Sequence, residues 1–267
     1  MGRLSKCFAE LRERGECALI AFLTAGDPDL ETTEAALLAM VEAGADVIEI
    51  GVPFSDPIGE GPVIQRASER ALAAGVTLRR ILELVRRVRP KVDTPLVLMG
   101  YANPVFAMGA ENFARAAAEV GIDGVIVADL PPEAGKEVYA ACRDAGIDPI
   151  LLAAPTTTPA RLKLLVSQTG GFLYYVSLTG VTGIRNELAQ GIEEAVALAR
   201  SFGDVPVCVG FGISSPEQAR EVSAYADGVV IGSAIVKRIE DAASPADAVE
   251  DVRDYIGELK QALRGHA

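Results

Sequence analysis

Ala43-Gly44-Ala45-Asp46-Val47-Ile48-Glu49-Ile50-Gly51-Val52-Pro53-Phe54 is the stretch that decides the fold. Small residues and a glycine close a helix, an aspartate follows, and an apolar run begins at once. Glycine ends helices because it takes the left-handed cap conformation without strain. An apolar run without polar alternation marks a parallel strand covered on both faces. The same order of events recurs at Val120-Gly121-Ile122-Asp123-Gly124 before VIVADL, at Ala145-Gly146-Ile147-Asp148 before PILLAAP, and at Tyr225-Ala226-Asp227-Gly228 before VVIGSA. Each instance reads as the closing half of a strand–helix unit.

Working outward, eight apolar strands begin near Ala18, Val47, Leu96, Val125, Ile150, Phe172, Val205 and Val229. Helical stripes separate them, such as Leu30, Leu37, Leu38 and Val41, or Val249, Val252, Ile256, Leu259 and Leu263. Eight alternations in 267 residues predict an α/β fold, a (β/α)8 barrel in one domain over 1–267. A doubly wound open sheet is the alternative. Leu4, Phe8 and Leu11 predict an extra N-terminal helix that covers the N-terminal mouth of the barrel.

Composition narrows the function classes. A net charge of −12 argues against nucleic acid and against an anionic membrane surface, since both demand an excess of Lys and Arg. No apolar run reaches transmembrane length, and the first residues lack the apolar region of a secretory signal, so a cytoplasmic protein is expected. Cys7, Cys17, Cys142 and Cys208 lie in no CxxC spacing and read as buried free thiols. The single histidine, His266, is next to the C-terminus, which leaves no Ser/His or Cys/His triad and no His-rich metal site. Proton transfer falls to a carboxylate or a tyrosine.

Glu49 is the residue out of place. A buried parallel strand wants Val or Ile there, and an unpaired carboxylate costs several kcal/mol to bury. No Lys or Arg stands in a nearby strand to pair with it, so an acid/base role is expected. Asp29 reads as a helix N-cap. Phe22 reads as barrel filling or as a ligand contact, Glu60 as a solvated loop acid or a functional one. Asp129 is open between function and capping of the next helix. Alternation points one of Tyr174 and Tyr175 inward and the other outward. Glycines cluster after the last strands, at Gly180-Val181-Thr182-Gly183, Gly210-Phe211-Gly212 and Gly232-Ser233. Such loops and helix N-termini form the usual phosphate site of these barrels. A phosphorylated small substrate follows, with no metal, and isomerisation and carbon–carbon cleavage both remain open.

The segments EIGVPFSDPIGEGPVIQRA, VADLPPE, YYVSLTGVTG, GFGIS and GSAIVK closely resemble the tryptophan synthase α subunit, over essentially the whole chain. The resemblance implies a lyase of tryptophan biosynthesis that splits indole-3-glycerol phosphate, by a retro-aldol route, into indole and glyceraldehyde 3-phosphate. It implies Glu49 as principal acid/base group and Tyr174, rather than Tyr175, as active-site tyrosine. Phe22, Met99 and Ile126 would line the indole pocket. The phosphate would rest on Gly183, Gly212, Gly232 and Ser233, and the loop holding Thr182 would close over substrate. It further implies an αββα complex, with pyridoxal phosphate only in the partner β subunit and no cofactor in this chain. Pro53, Asp56 and the Tyr101–Pro104 region, Asn103 included, would meet that partner. One departure stands out: the family usually has aspartate where Gly59-Glu60-Gly61 places glutamate. The extra methylene moves the carboxylate by roughly an ångström, a misplacement worth on the order of 100-fold in rate, unless Gly59 and Gly61 let the backbone retreat. The resemblance therefore keeps Glu60 as a catalytic carboxylate. The competing expectation is a chain that mainly binds and activates the β subunit, its lyase chemistry weakened by Glu60. Leu178 also departs from a position where a basic residue is common.

Overall fold

A computed structural model describes residues 2–176, 185–210 and 212–264, with the side chains of 185–190 left aside. Nine parallel strands form the sheet among the described residues: β1 (Ala18–Thr24), β2 (Val47–Gly51), β3 (Leu96–Gly100), β4 (Gly124–Val127), β5 (Asp148–Pro149), β6 (Leu151–Ala153), β7 (Leu173–Val176), β8 (Val207–Gly210) and β9 (Gly228–Ile231). Their spatial order is β5-β4-β3-β2-β1-β9-β8-β7-β6. A doubly wound sheet reverses its order at a switch point; this one runs on in sequence and returns from β9 to β1. β5 and β6 are one extended segment interrupted at Ile150, whose amide still donates to the Val125 carbonyl at 2.8 Å. β5 pairs with β4 and β6 with β7, so that segment closes the ring. The eight sequence strands and the (β/α)8 barrel are therefore present.

The repeated Gly–Asp signature has a physical cause. Gly44, Gly121 and Gly146 take φ values of +107°, +88° and +79°, the cap conformation that turns each helix back toward the sheet. The aspartate then accepts the backbone amide of a neighbouring strand: Asp46 from Leu19 at 2.7 Å, Asp123 from Leu96 at 2.9 Å, Asp227 from Val207 at 2.8 Å. These are amides at the N-terminal rim, where a parallel ladder leaves donors short of partners. Lys260 of the Pro245–Leu263 helix, only 4% exposed, adds an ion pair to Asp46 at 2.7 Å.

Side chains alternate between two cores. Leu19, Ile48, Leu98, Val125, Leu173, Tyr175, Val209 and Ile231 face the helices. Ala18, Ile20, Val47, Val97, Ile126, Ile150, Phe172, Tyr174, Cys208 and Val230 fill the interior together with Leu4, Phe8 and Leu11 of the Arg3–Glu13 helix. The Phe8 and Phe172 rings stand 5.8 Å apart. That helix seals the N-terminal mouth, as expected, and each such side chain contributes about 1.5–3 kcal/mol. Arg3 fixes it to Asp123 at 3.1 Å, and Arg89 holds the same carboxylate from the other side at 3.0 Å. The C-terminal end of the barrel, the usual place for chemistry in such folds, is left uncovered by that helix. The four cysteines are free; Cys17, Cys142 and Cys208 are buried and Cys7 is half-buried.

Candidate active site

Inward positions on adjacent strands build the site. β1 contributes Phe22 and Thr24, β2 contributes Glu49 and Gly51, and the register sets Phe22 beside Glu49 and Thr24 beside Gly51. Glu49 also neighbours Val97 of β3, and Met99 follows two residues on, beside Gly51 and Ile126. Glu49 is 1% exposed and its Oε2 has no hydrogen-bond partner. Burial, and next the charge of Glu60, pushes its pKa from 4.5 up to about 8. A carboxyl in this state keeps its proton at neutral pH and can donate it.

One inward layer nearer the mouth lies a narrow pocket walled by Phe22, Thr24, Glu60, Ile64, Ser68, Met99 and Tyr101. Glu60 sits on its rim, half-buried, and burial pushes its pKa from 4.5 up to about 7. The two carboxyls are thus set apart: the deeper one holds its proton more tightly and the rim one ionises first. Tyr174 points inward and Tyr175 outward, as alternation requires. The Tyr174 phenol lies within the field of Glu49 and Glu60, and its pKa is raised first by burial and next by those two charges.

Missing side chains make the room. A Cβ on Gly51 would stand 2.5 Å from Phe22 Cζ, and one on Gly210 would stand 2.7 Å from Tyr174 Oη. Phe22 also lies along Gly232, where a Cβ would be 3.4 Å from Cδ1, so its ring spans from the β2 end to the loop after β9. Gly210 and Val230 are paired in the sheet, so Gly212 and Gly232, each two residues on, leave the barrel side by side. Gly212 has φ +76°. Gly232 precedes the Ser233–Asp241 helix and offers no side-chain cap. The first amides to bond within that helix are Ile235 and Val236, both to the Gly232 carbonyl, so those of Ser233 and Ala234 precede the ladder. Thr182, Gly183 and Leu178 lie outside the described residues.

Several assignments changed on folding. Asp129 caps a helix, but not the next one in sequence: its Oδ1 accepts the Ala102 amide at 2.8 Å, at the start of the Ala102–Met108 helix. β3 and β4 are neighbours, whereas the next helix begins only at Lys136. Asp29 does cap its own helix, through the Thr32 amide at 2.7 Å. Gly59 and Gly61 adopt no positive φ, so neither glycine gives Glu60 a backbone path closed to other residues. Pro53 is buried, while Asp56 and Asn103 are exposed. Thr24, whose buried Oγ1 is unpartnered, is not among the site residues expected above, although Phe22 plus the strand period of two points to it. Gln65 and Ser68 came from helix phase that only the folded loop fixes.

A family model described as tryptophan synthase alpha chain matches residues 8–264. The tryptophan synthase alpha chain of Geobacter sp. (strain M21) is 51% identical over 263 residues, covering 98% of this chain and 98% of that one. Among solved structures, tryptophan synthase subunit alpha from Legionella pneumophila str. Paris is 37% identical, with TM-score 0.91 and 98% of each chain covered. A chain of Mycobacterium tuberculosis tryptophan synthase is 39% identical, with TM-score 0.90 and 99% of each chain covered.

Proposed function

The chain belongs to the tryptophan synthase alpha chain family and has that family's role in tryptophan biosynthesis, splitting indole-3-glycerol phosphate; we propose that Glu49 and Glu60 divide the proton and charge work of this step. The observation that carries the proposal is the buried Glu49 carboxyl, whose Oε2 has no hydrogen-bond partner, its pKa raised to about 8, beside a pocket rimmed by a second carboxyl.

The steps follow from that division. Protonated Glu49 gives its proton to the indole ring carbon that bears the glycerol chain. Positive charge develops on the ring nitrogen, and ionised Glu60 accepts the N–H and stabilises that charge. Glu49, now a carboxylate, takes the proton of the adjacent side-chain hydroxyl. The carbon–carbon bond breaks, its electron pair neutralises the ring, and the hydroxyl carbon becomes the aldehyde of glyceraldehyde 3-phosphate. Glu49 ends protonated, as it began. Phe22, Met99 and Ile126 supply apolar walls for the indole, and the Tyr174 phenol orients the substrate near Glu49. Gly212, Gly232 and Ser233, with Gly183, hold the phosphate by backbone amides and the positive end of the Ser233–Asp241 helix. The reverse assignment, Glu60 as proton donor, is disfavoured by depth: Glu49 is 1% exposed with Oε2 unpartnered, whereas Glu60 is half-buried on the pocket rim.

The partner in this proposal is a tryptophan synthase β subunit, in an αββα assembly in the cytoplasm, with pyridoxal phosphate carried by the β subunit. Among the described residues no helix is long and apolar enough to cross a membrane. The mouth presents Asp56 and Asn103 with two exposed apolar side chains, Ile58 at 89% and Phe106 at 54%, a combination suited to a protein interface. The reading as chiefly a binding subunit is not favoured, because Glu60 lines the same pocket as Phe22 and Met99. Indole release from indole-3-glycerol phosphate by the purified chain, with and without a β subunit, tests the proposal. No release in either condition refutes it.

A further inference from the structure

Glu60 reaches the pocket on a loop, and a longer side chain on an unconstrained loop would not hold one place. Its backbone is nevertheless fixed on three sides. The Glu60 amide donates to the Pro57 carbonyl at 2.9 Å, closing a tight turn. The Glu60 carbonyl accepts from Gln65 Nε2 at 2.9 Å. The amide just before, that of Gly59, donates to Tyr101 Oη at 3.2 Å. Tyr101 is itself held firmly. It is 5% exposed, its ring stacks on Phe54 with centroids 5.0 Å apart, and the amide that follows it is capped by Asp129. The loop is thus referenced to β3 and β4 through a phenol, and to the Pro62–Ala73 helix through an amide.

We propose that Tyr101 and Gln65 are positioning residues for Glu60, fixing the backbone that carries its carboxyl; the proposal rests on the role given to Glu60 above. Tyr101 also joins two surfaces. The Ala102–Met108 helix that begins at the next residue carries exposed Asn103 and Phe106.

The test is a double-mutant cycle on indole-3-glycerol phosphate cleavage with the intact chain. Tyr101→Phe keeps the ring on Phe54 and removes only the acceptor. A net hydrogen bond is worth about 2–10-fold, and an ångström of misplacement on the order of 100-fold. The expected result is therefore a kcat about 10–50-fold lower with KM within about twofold. Gln65→Met, on the half-buried side of a helix, should give the same pattern if Tyr101→Phe proves poorly folded by thermal melting. In a Glu60→Ala background neither change should lower kcat further, because each acts through Glu60. A normal kcat for Tyr101→Phe and Gln65→Met, beside a slow Glu60→Ala, overturns this inference alone. An equal loss in both backgrounds also overturns it, since Tyr101 would then act on its own. A Glu60→Ala variant with the parent kcat overturns the role of Glu60 itself.

Discussion

Replacing Glu49 by Gln separates the two consequences of burying an acid. The amide keeps the shape of the side chain and removes its titration. A carboxyl whose pKa rises from 4.5 unfolded to about 8 folded binds a proton more tightly in the native state. Between those two pH values the native chain holds more protons than the unfolded chain, so stability falls as pH rises. The contribution is full below pH 4.5 and is spent by about pH 8, and at 1.36 kcal/mol per unit it amounts to about 5 kcal/mol. Glu49→Gln escapes that loss. Its unfolding free energy should therefore gain on the parent across this window, by several kcal/mol at pH 8 and little at pH 4.5. Chemistry moves the opposite way: without a transferable proton, kcat for indole release should fall by about 1,000-fold or more. Urea unfolding of both proteins at pH 4.5, 6 and 8, with single-turnover indole release, reads both effects. A pH-independent stability difference would show that Glu49 is not buried as a neutral acid. Turnover near the parent rate would remove it from the reaction.

Four further outcomes are expected. The pH dependence of kcat/KM should be a narrow bell, rising as Glu60 ionises through about 7 and falling as Glu49 ionises through about 8; a flat profile across pH 6–9 contradicts the division of roles. Glu60→Asp should lower kcat, on the order of 100-fold, because the backbone is pinned and the carboxyl retreats by about an ångström; a gain of several hundred-fold would instead favour a mainly partner-binding chain. Gly51→Ala should raise KM, because its Cβ would stand 2.5 Å from Phe22 Cζ and displace the ring from the pocket, which titration calorimetry with indole-3-glycerol phosphate can measure. Phe8→Ala should cost about 3–5 kcal/mol in chemical denaturation, from the cavity left beneath Phe172, with kcat nearly unchanged in the surviving native fraction.

The sequence by itself determined the alternation of strands and helices, because its signals are local and repeated; that the strands close into a barrel and not an open sheet was decided by which strands pair, β9 with β1. Gly44, Gly121 and Gly146 announce helix ends through the one conformation a cap requires, and the apolar runs at Val47, Leu96 and Val229 admit only a strand covered on both faces. Glu49 was legible for the same reason: a charge in such a run violates burial energetics wherever the strand sits. Alternation chose between Tyr174 and Tyr175 only once one neighbouring residue was known to face the interior. Tertiary structure decided the rest, because it depends on which strands are neighbours. Asp129 lies 27 residues from Ala102 and caps it because β3 and β4 are adjacent. Asp46, Asp123 and Asp227 bond amides of other strands, a reason for the repeat that no window of sequence contains. The order of the Glu49 and Glu60 pKa values came from depth in the barrel, which only the closed ring defines. Glu60 reads in sequence as an acid between two flexible glycines. In the fold it is an acid on a backbone held by Pro57, Gln65 and Tyr101, since hydrogen bonds that cross between elements exist only after the elements have packed.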